Sequence, residues 1–275
     1  HAAVLLGQAL RALGQVVADA AAVGDHVDDI LEVVDVAPAE LVPLEVPDPD
    51  PRLERVADGQ LTEFIGEWPY PPAPLGLPRT TTLSVTVDQG ALVIYSDIRG
   101  TFREYLQTDG SIVEEDSLER FIQIRDEGGA FAGFTDADAV ARAAVAAAVA
   151  DEMPRAKSFL ELVEGESGVS LEVARATVDL LRGRGKTAEK ALRALAETEN
   201  PRRVERTLNS VGYSLLEAER LKPAVRLLEL NTELFPEAFN TWDSLGEAFM
   251  RMGKDAKALS CFEKSLELNA ENTNA

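Results

Sequence analysis

The feature that most constrains this chain is a spacing that occurs twice near its C-terminal end. The interval from Gly212 to Gly246 is the same as the interval from Ala224 to Ala258. A period of about 34 residues, as found here, is typical of arrays in which each unit is a pair of helices joined by a turn. The sequence therefore predicts a helical repeat array over residues 201–275.

The second copy of this pattern resembles the tetratricopeptide repeat, which has large, small and aromatic residues at fixed offsets. The residues that carry the resemblance are Trp242, Leu245, Gly246, Phe249, Ala258 and Phe262. The first copy keeps the glycine, the alanine and the closing proline of the pattern. Its residues are Leu208, Val211, Gly212, Leu215, Ala224, Leu228 and Pro236. The resemblance implies stacked helical hairpins that bind protein or peptide partners.

Each copy has a glycine in the middle of a predicted helix, where glycine costs roughly 1 kcal/mol relative to alanine. Because this cost occurs twice in register, we expect the two helices of each hairpin to touch at Gly212 and Gly246. Ala224 and Ala258 would then provide the small surface on the second helix.

Residues 219–223 and 252–254 interrupt the helical pattern and are predicted to join the two helices of each hairpin. Asn240 is predicted to be the N-cap of a helix, with Asp243 as an acidic residue in its first turn.

The resemblance also implies that the first helix of each hairpin lines a concave groove for a peptide or partner helix. Carried over position by position, the groove residues are Arg206, Asn209, Tyr213, Glu217, Asn240, Asp243, Glu247 and Arg251. Their mixture of amide, charged and aromatic groups suits a polar peptide backbone. The alternative is that Asn209, Asn240 and Asp243 cap helices or bridge the two repeats.

Residues 135–200 are predicted to be helical. The alanine-rich segment after Asp136 favours helix by propensity alone, with Asp136 as its N-cap. Three further helices are predicted to begin at Pro154, Ser170 and Thr187. The last two helices are compatible with a degenerate repeat by length only, because the position one period before Gly212 is Val178 and not a glycine.

Between residues 58 and 134 the hydrophobic pattern alternates instead of following the helical period. Residues 80–87 place Leu83, Val85 and Val87 on one face, as in a half-buried strand. Turns that contain glycine separate this run from other short apolar runs. The pattern predicts an antiparallel β-meander of about five to seven strands, closed or half-closed into a small barrel.

The opening of this region, Phe64-Ile65-Gly66-Glu67-Trp68 followed by a Thr/Val strand, resembles an accessory domain of bacterial secreted serine hydrolases of the penicillin-recognising class. The resemblance covers roughly residues 58–134 and implies an extracytoplasmic location, periplasmic or secreted. The catalytic part of those hydrolases uses Ser-x-x-Lys, and no serine in this chain is followed three positions later by lysine. The chain therefore matches the trailing part of such proteins and not their catalytic part.

Residues 1–36 are predicted to be a helical segment whose broad apolar face needs a covering partner. It has no basic leader, so we do not expect it to be a signal peptide. Residues 37–57 contain five prolines and are predicted to be an extended linker. The apolar segment is either a contact between copies of the chain in a homo-oligomer or the last helix of a catalytic domain absent from this chain.

The charge balance excludes several kinds of partner. The chain has 48 acidic and 27 basic residues and a net charge of −21, which disfavours nucleic acid and anionic membranes. Its single cysteine, Cys261, cannot form an intrachain disulfide and is predicted to pack as a small hydrophobic residue. No apolar run reaches the roughly 18–20 residues that a membrane span requires.

We find no catalytic, cofactor or metal motif in the sequence. His26 lies near Asp25, Asp28 and Asp29, but a solvated turn is favoured over a metal site. Residues 182–187 end in Gly-Lys-Thr but lack the first glycine of a phosphate-binding loop, which favours a turn between helices. We therefore assign no catalytic residue, no metal and no cofactor, and do not expect this chain to be an enzyme.

The predicted fold class is α+β: an antiparallel β-meander or small barrel, then an α-helical tetratricopeptide-like array, with an N-terminal helix. The predicted divisions are 1–36, 37–57, 58–134, 135–200 and 201–275. The predicted function is a non-catalytic protein- or peptide-binding module that acts through the repeat groove. Two alternatives are an accessory C-terminal part of a secreted bacterial serine hydrolase and a small-molecule carrier that uses the interior of the sheet.

Overall fold

A computed structural model describes residues 56–107, 112–114 and 120–272 of the chain. The predictions for residues 1–36, for most of the linker and for His26 fall outside these residues. Within the described ranges, seven strands are followed by eight α-helices. The α+β fold class is therefore confirmed.

The seven strands form one sheet in which each strand pairs antiparallel with the next strand along the chain. The strands are β1 (Gly66–Tyr70), β2 (Thr81–Asp88), β3 (Ala91–Ser96), β4 (Gly100–Leu106), β5 (Ile112–Glu114), β6 (Arg120–Arg125) and β7 (Phe131–Thr135). This order is the predicted meander.

The turn between β2 and β3 shows how the sequence reverses the chain. Asp88 pairs with Ala91, so only Gln89 and Gly90 lie between the two strands. Both residues have positive φ, 50° and 78°. A two-residue turn with positive φ at both positions matches the twist of the flanking strands, and glycine adopts this conformation at little cost.

One face of the sheet encloses an apolar core. Phe131 lies in its aromatic part, with its ring centroid 4.8 Å from that of Phe64 and 4.6 Å from that of Trp68. Strand β7 also approaches β1. A Cβ atom placed on Gly133 of β7 would lie only 3.6 Å from the carbonyl oxygen of Pro69 on β1. The first and last strands are therefore neighbours, and the sheet is nearly closed into a barrel.

The eight helices pair into four consecutive antiparallel hairpins. The helices are α1 (Ala137–Val149), α2 (Met153–Leu162), α3 (Val169–Leu181), α4 (Gly185–Thr198), α5 (Pro201–Glu217), α6 (Leu221–Leu234), α7 (Phe239–Arg251) and α8 (Asp255–Leu268). Residues 182–184 form the turn between α3 and α4, whereas Gly185, Lys186 and Thr187 begin α4. The turn predicted for residues 182–187 is therefore confirmed only in its first half.

One of the two predicted helix caps is confirmed and the other is wrong. The Asp136 carboxylate accepts a hydrogen bond from the backbone N–H of Ala139 at 2.6 Å, which caps α1. Helix α7 begins at Phe239, its N-cap is Ala238, and no side chain caps it. Asn240 lies inside the first turn, where its side chain is available for other contacts.

The sheet contributes residues to the hydrophobic core of the helices, which is separate from the apolar core that the sheet encloses. Ile124 of β6 is buried in the cluster that runs through the helices, and Ile122 and Ala132 pack against the same cluster. The Tyr70 hydroxyl on β1 donates a hydrogen bond to the Asp136 carboxylate, which also caps α1. The position of α1 is therefore tied to the sheet.

The two repeat glycines allow the helices of their hairpins to touch, as predicted. A Cβ atom at Gly212 of α5 would lie 2.5 Å from Cδ2 of Leu228 on α6. A Cβ atom at Gly246 of α7 would lie 2.5 Å from Cε1 of Phe262 on α8. Leu228 and Phe262 are themselves one period apart, so the contact repeats along with the sequence pattern.

The predicted partners of the glycines were wrong. Ala224 and Ala258 are buried, but the nearest side chains are Leu228 and Phe262, one helical turn later. Long side chains on a helix lean toward its N-terminus and cover the surface over the preceding turn. The large residue therefore fills the space in front of the glycine.

We predict that Gly246→Ala destabilises the protein although alanine is the better helix former. The added methyl group meets the ring of Phe262 at 2.5 Å. Overpacking of this kind costs about 1–3 kcal/mol, and alanine regains roughly 1 kcal/mol of helix propensity, so the free energy of unfolding should fall by about 1–2 kcal/mol. Urea denaturation measures this change.

The matched control is Gly246→Ala combined with Phe262→Leu. The shorter side chain relieves the clash, so the double variant should be more stable than the sum of the two single changes predicts. A single Gly246→Ala variant as stable as the parent would contradict the close contact.

Candidate partner-binding groove

Helix α5 is central to the helical array, because it contacts α1, α3 and α7 as well as its own hairpin partner α6. A cleft of about 730 Å³ lies between α1 and α5, and Ser170 of α3 also lines it. These three helices are the first helices of successive hairpins. The cleft therefore lies among first helices, where the repeat resemblance predicts a groove, but toward the N-terminal side of the two repeat copies.

The two walls of this cleft differ in chemistry. The wall formed by α1 is mostly apolar and includes Ala141, Val145, Ala146 and Val149. The wall formed by α5 carries a row of hydroxyl groups at Thr207, Ser210 and Ser214. The hydroxyls of Thr207 and Ser214 donate to backbone carbonyls of α5 at 2.8 and 3.2 Å. Their oxygen atoms keep the capacity to accept hydrogen bonds from a ligand.

Two arginines on the cleft have no hydrogen-bond or ion-pair partner among the described residues. They are Arg142 on α1 and Arg206 on α5, and both are exposed. Arg203, in contrast, is bound to Asp138 at 3.2 Å. An unpaired guanidinium presents a fork of N–H donors that matches a carboxylate. The two arginines outnumber Glu217, the acidic residue of the lining, so the lining carries a positive net charge on a chain of net charge −21.

Two of the predicted groove residues line this cleft, and two others on the same helix do not. Arg206 and Glu217 are among its lining residues, whereas Asn209 and Tyr213 are not. The Tyr213 hydroxyl accepts a hydrogen bond from Ser244 of α7 at 3.5 Å, and burial raises the pKa of Tyr213. The amide oxygen of Asn209 is buried without a hydrogen-bond partner among the described residues.

The predicted residues on α7 make contacts within the protein. Asn240 donates to the Glu205 carboxylate of α5 at 2.6 Å, and Asp243 accepts from Asn272 at 3.2 Å. Burial, with a smaller contribution from Glu247, raises the pKa of Asp243 against the effect of the Asn272 hydrogen bond. The Asn240 contact agrees with the alternative that this residue bridges the two repeats, whereas Asp243 bonds to a residue that follows α8 of its own hairpin.

The ion pair of Arg251 and Glu247 lies on the same helix. Their closest atoms are 2.8 Å apart, and Arg251 also donates to the carbonyl oxygen of Leu216 on α5 at 3.4 Å. The two side chains are 36% and 28% exposed, so water screens the pair in part and its electrostatic contribution to stability is small. The contact between Arg251 and Leu216 nevertheless links α7 to α5, the first helices of the last two hairpins.

Sequence reasoning did not include α1 in the groove. The helix itself was predicted, but no repeat motif connected it to the array. The only sequence signal was the recurrence of alanine and valine at helical spacing, with Arg142 among them. That pattern indicates a helix with an apolar face and does not show which helix lies opposite.

In the part of the chain that the structure describes, no three His, Cys, Asp or Glu side chains come together as a metal site. None of the helices described there has both the length and the apolar character needed to cross a bilayer.

Comparison with known proteins identifies the C-terminal hairpin. Residues 239–272 match the family model described as "Tetratricopeptide repeat". The second repeat copy is therefore confirmed, and the match supports a protein-binding repeat module. It covers α7 and α8 and does not extend to the sheet. No curated protein sequence matches the chain.

Several solved structures of repeat proteins are similar to part of the chain. PilF of Pseudomonas aeruginosa is 30% identical over 50% of this chain, with a TM-score of 0.29, and the chain spans 62% of its length. YrrB, described as a TPR protein with an unusual peptide-binding site, is 19% identical over 50% of this chain and 71% of its own, with a TM-score of 0.29. MamA of Desulfovibrio magneticus RS-1 is 20% identical over 50% of this chain and 78% of its own, with a TM-score of 0.28.

We predict that Asn240→Ala lowers stability. Glu205 is only 8% exposed, and the substitution removes a hydrogen bond to its carboxylate. Loss of a partner by a buried acceptor costs about 1–3 kcal/mol, which chemical denaturation resolves.

The control for this prediction is Glu217→Ala, which changes an exposed side chain on α5 and should alter stability by less than about 0.5 kcal/mol. If Asn240→Ala were as stable as this control, the bridge between α5 and α7 would not contribute to the fold.

Proposed function

We propose that this protein binds an extended peptide segment of a partner protein in the cleft between α1 and α5. In this proposal Arg142 and Arg206 hold an acidic group of the peptide, either a side-chain carboxylate or the terminal one. The observation that carries the proposal is a pair of exposed arginines on the walls of one cleft, neither with a hydrogen-bond or ion-pair partner in the described part of the chain.

The shape and lining of the cleft support a peptide as ligand. Its volume of about 730 Å³ lies within the range of about 300–1,000 Å³ that is common for ligand sites. The apolar wall of α1 suits the side chains of a peptide, and the hydroxyl row of α5 can accept hydrogen bonds from its backbone N–H groups. Each wall thus matches one part of an extended chain.

The charge distribution supports selectivity for a partner with few, well-placed acidic groups. The net charge of −21 repels polyanions such as nucleic acids at long range. At short range, a carboxylate that reaches the two arginines forms charge-assisted hydrogen bonds. A peptide with one acidic group over the cleft and neutral or basic residues elsewhere satisfies both conditions.

The groove residues inferred from the repeat resemblance fit this proposal in two groups. Arg206 and Glu217 contact the peptide inside the cleft. The others form the surface from α5 to α7 over which the peptide leaves it: Asn209, Tyr213, Asn240, Asp243, Glu247 and Arg251. The acidic residues of this surface then face a basic part of the partner.

The test is peptide selection followed by quantitative binding. A random peptide library displayed on phage is selected against the purified protein, and dissociation constants of the selected peptides are measured by fluorescence anisotropy. We predict that selected peptides contain Asp, Glu or a free C-terminal carboxylate. Arg142→Ala and Arg206→Ala should each weaken binding about tenfold or more, because a hydrogen bond to a charged group contributes about 1.5–3 kcal/mol.

Arg182→Ala is the matched control. Arg182 is exposed in the turn between α3 and α4, has no partner among the described residues and does not line the cleft. The control removes the same charge from the chain and should leave the dissociation constant within about twofold. Selected peptides that bind equally well to all three variants would contradict the proposed site.

A second proposal follows from the sequence resemblance of residues 58–134: the chain is the accessory part of a secreted hydrolase, in an extracytoplasmic location. The antiparallel sheet that follows Phe64 is compatible with it. The mass of the native protein isolated from its source tests this proposal. A mass well above 29.7 kDa, with a Ser-x-x-Lys site in the additional sequence, is the expected result, and a mass of 29.7 kDa would contradict it.

We retain two further predictions as part of these proposals. One is the division of the chain at 58–134, 135–200 and 201–275. The other is the formation of a homo-oligomer through residues 1–36, which size-exclusion chromatography with light scattering can test.

A further inference from the structure

A carboxyl group without a partner lies inside the sheet. Glu104 is near the middle of β4, and its neighbours in the register are Leu92 on β3 and Glu114 on β5. Its exposed fraction is 0%. Neither of its carboxyl oxygens has a hydrogen-bond partner among the described residues. In most proteins a buried polar atom of this kind is bonded to protein, water or an ion.

The surroundings of Glu104 disfavour its negative charge. Burial and, to a smaller extent, the Glu114 carboxylate raise the pKa of Glu104 to about 8, against the opposing effect of Arg99. A carboxylate transferred from water to an apolar interior without a partner is costly, and protonation avoids this cost. The Glu104 carboxyl group is therefore mostly protonated at pH 7, and a bound cation would favour its ionised form.

Glu104 lines a cavity of about 110 Å³ inside the sheet. The rings of Phe102, Phe121 and Phe134 line the same cavity. Ile98, whose side chain is 68% exposed, also lines it, so the cavity reaches the surface at the turn between β3 and β4. A water molecule takes up about 30 Å³ in the liquid, so the cavity has room for a few non-hydrogen atoms.

The other charged groups on the cavity already have protein partners. Arg99 donates to Glu114 at 2.8 Å, and its guanidinium lies 4.5 Å from the ring centroid of Phe102. The Tyr70 hydroxyl donates to Asp136, which is also occupied as the cap of α1. Among the charged lining residues that the structure describes, Glu104 is thus the one left without a partner.

We propose that this cavity binds an alkylammonium group, with the Glu104 carboxylate accepting its N–H donors and the phenylalanine rings contacting its carbon chain. An ammonium supplies up to three donors to the two free carboxyl oxygens. Aromatic rings attract a nearby cation, and Phe134 is the lining ring over which the Arg99 guanidinium does not lie. The site is separate from the cleft between α1 and α5 and does not depend on peptide binding there.

The ammonium group has two possible sources. It can belong to a small free amine, or it can be the side-chain end of a lysine of a partner protein that reaches in past Ile98. The chemistry at Glu104 is the same in both cases. Three probes distinguish the sources: methylammonium, butylammonium and the Nα-acetyl methylamide of lysine.

Binding of a cation at this site should depend on pH with a definite sign. The cation binds the ionised form of Glu104, and this form becomes scarcer as pH falls below about 8. An alkylammonium keeps its own proton to about pH 10. The apparent affinity should therefore rise about ninefold from pH 6 to pH 7, about fivefold from pH 7 to pH 8, and level off near pH 9. Tyr70, Asp136 and Arg99 are the other ionisable groups that line the cavity, and Glu114 lies beside Glu104 on β5; each of them has its own partner.

The experiment is a titration of the ¹⁵N- and ¹³C-labelled protein with each probe at pH 6, 7, 8 and 9, followed by NMR. We expect at least one ammonium probe to bind at pH 9 at least tenfold more tightly than 1-butanol, its uncharged counterpart. Glu104→Gln keeps the shape of the side chain and removes its charge, and should weaken binding at least tenfold and abolish the pH dependence. The amide spectrum of this variant shows whether it is folded.

Glu67→Gln is the matched control. It makes the same chemical change at an exposed position of β1 whose carboxylate accepts from Ser84, and it should leave binding unchanged. Binding of the lysine derivative as tightly as butylammonium would identify a partner lysine as the occupant, and binding of the simple amines alone would identify a free amine. If no ammonium probe binds better than 1-butanol, or if Glu104→Gln binds equally well, the proposal is wrong and the cavity holds water only.

Discussion

The close contact between the two helices of a hairpin is the constraint on which the helical array depends. At Gly246 the backbone of α7 approaches so closely that the ring of Phe262 occupies the place of a side chain. The same contact recurs between Gly212 and Leu228. These two contacts fix how closely α5 lies on α6 and how closely α7 lies on α8. Helix α5, held in this way, forms one wall of the cleft with α1.

The sheet helps to position α1, which is the other wall of the cleft. Asp136 caps α1 and accepts the Tyr70 hydroxyl of β1, so one carboxylate fixes the start of a cleft wall relative to the sheet. Ile124 of β6 adds an apolar contact to the hydrophobic core of the helices. Tyr70 and Asp136 also line the cavity at Glu104, so the two proposed sites share a structural boundary although their ligands differ in chemistry.

Most of the local structure could be read from the sequence, because it depends on neighbouring residues. The turn at Gly90, the cap at Asp136 and the second repeat are examples.

Three features depended on contacts between distant residues and were not predicted correctly. Asn240 bonds to Glu205 instead of capping α7. Large side chains, rather than alanines, face the repeat glycines. Glu104, an acidic residue on a strand, gives no sign in the sequence that its position faces the interior. Of the predicted groove residues, Arg206 and Glu217 line the cleft. The wall formed by α1 could not be predicted, because the sequence does not show that α1 lies opposite α5.

The central claim is that the cleft between α1 and α5 is where a peptide binds. Methyl NMR of the protein with a selected peptide tests this claim most directly, because valine methyl groups lie both in the cleft and far from it. We predict that Val145 and Val211, which line the cleft, shift on binding, and that Val93 on the sheet does not. Shifts confined to the sheet or to α8, with Val145 and Val211 unchanged, would contradict the account.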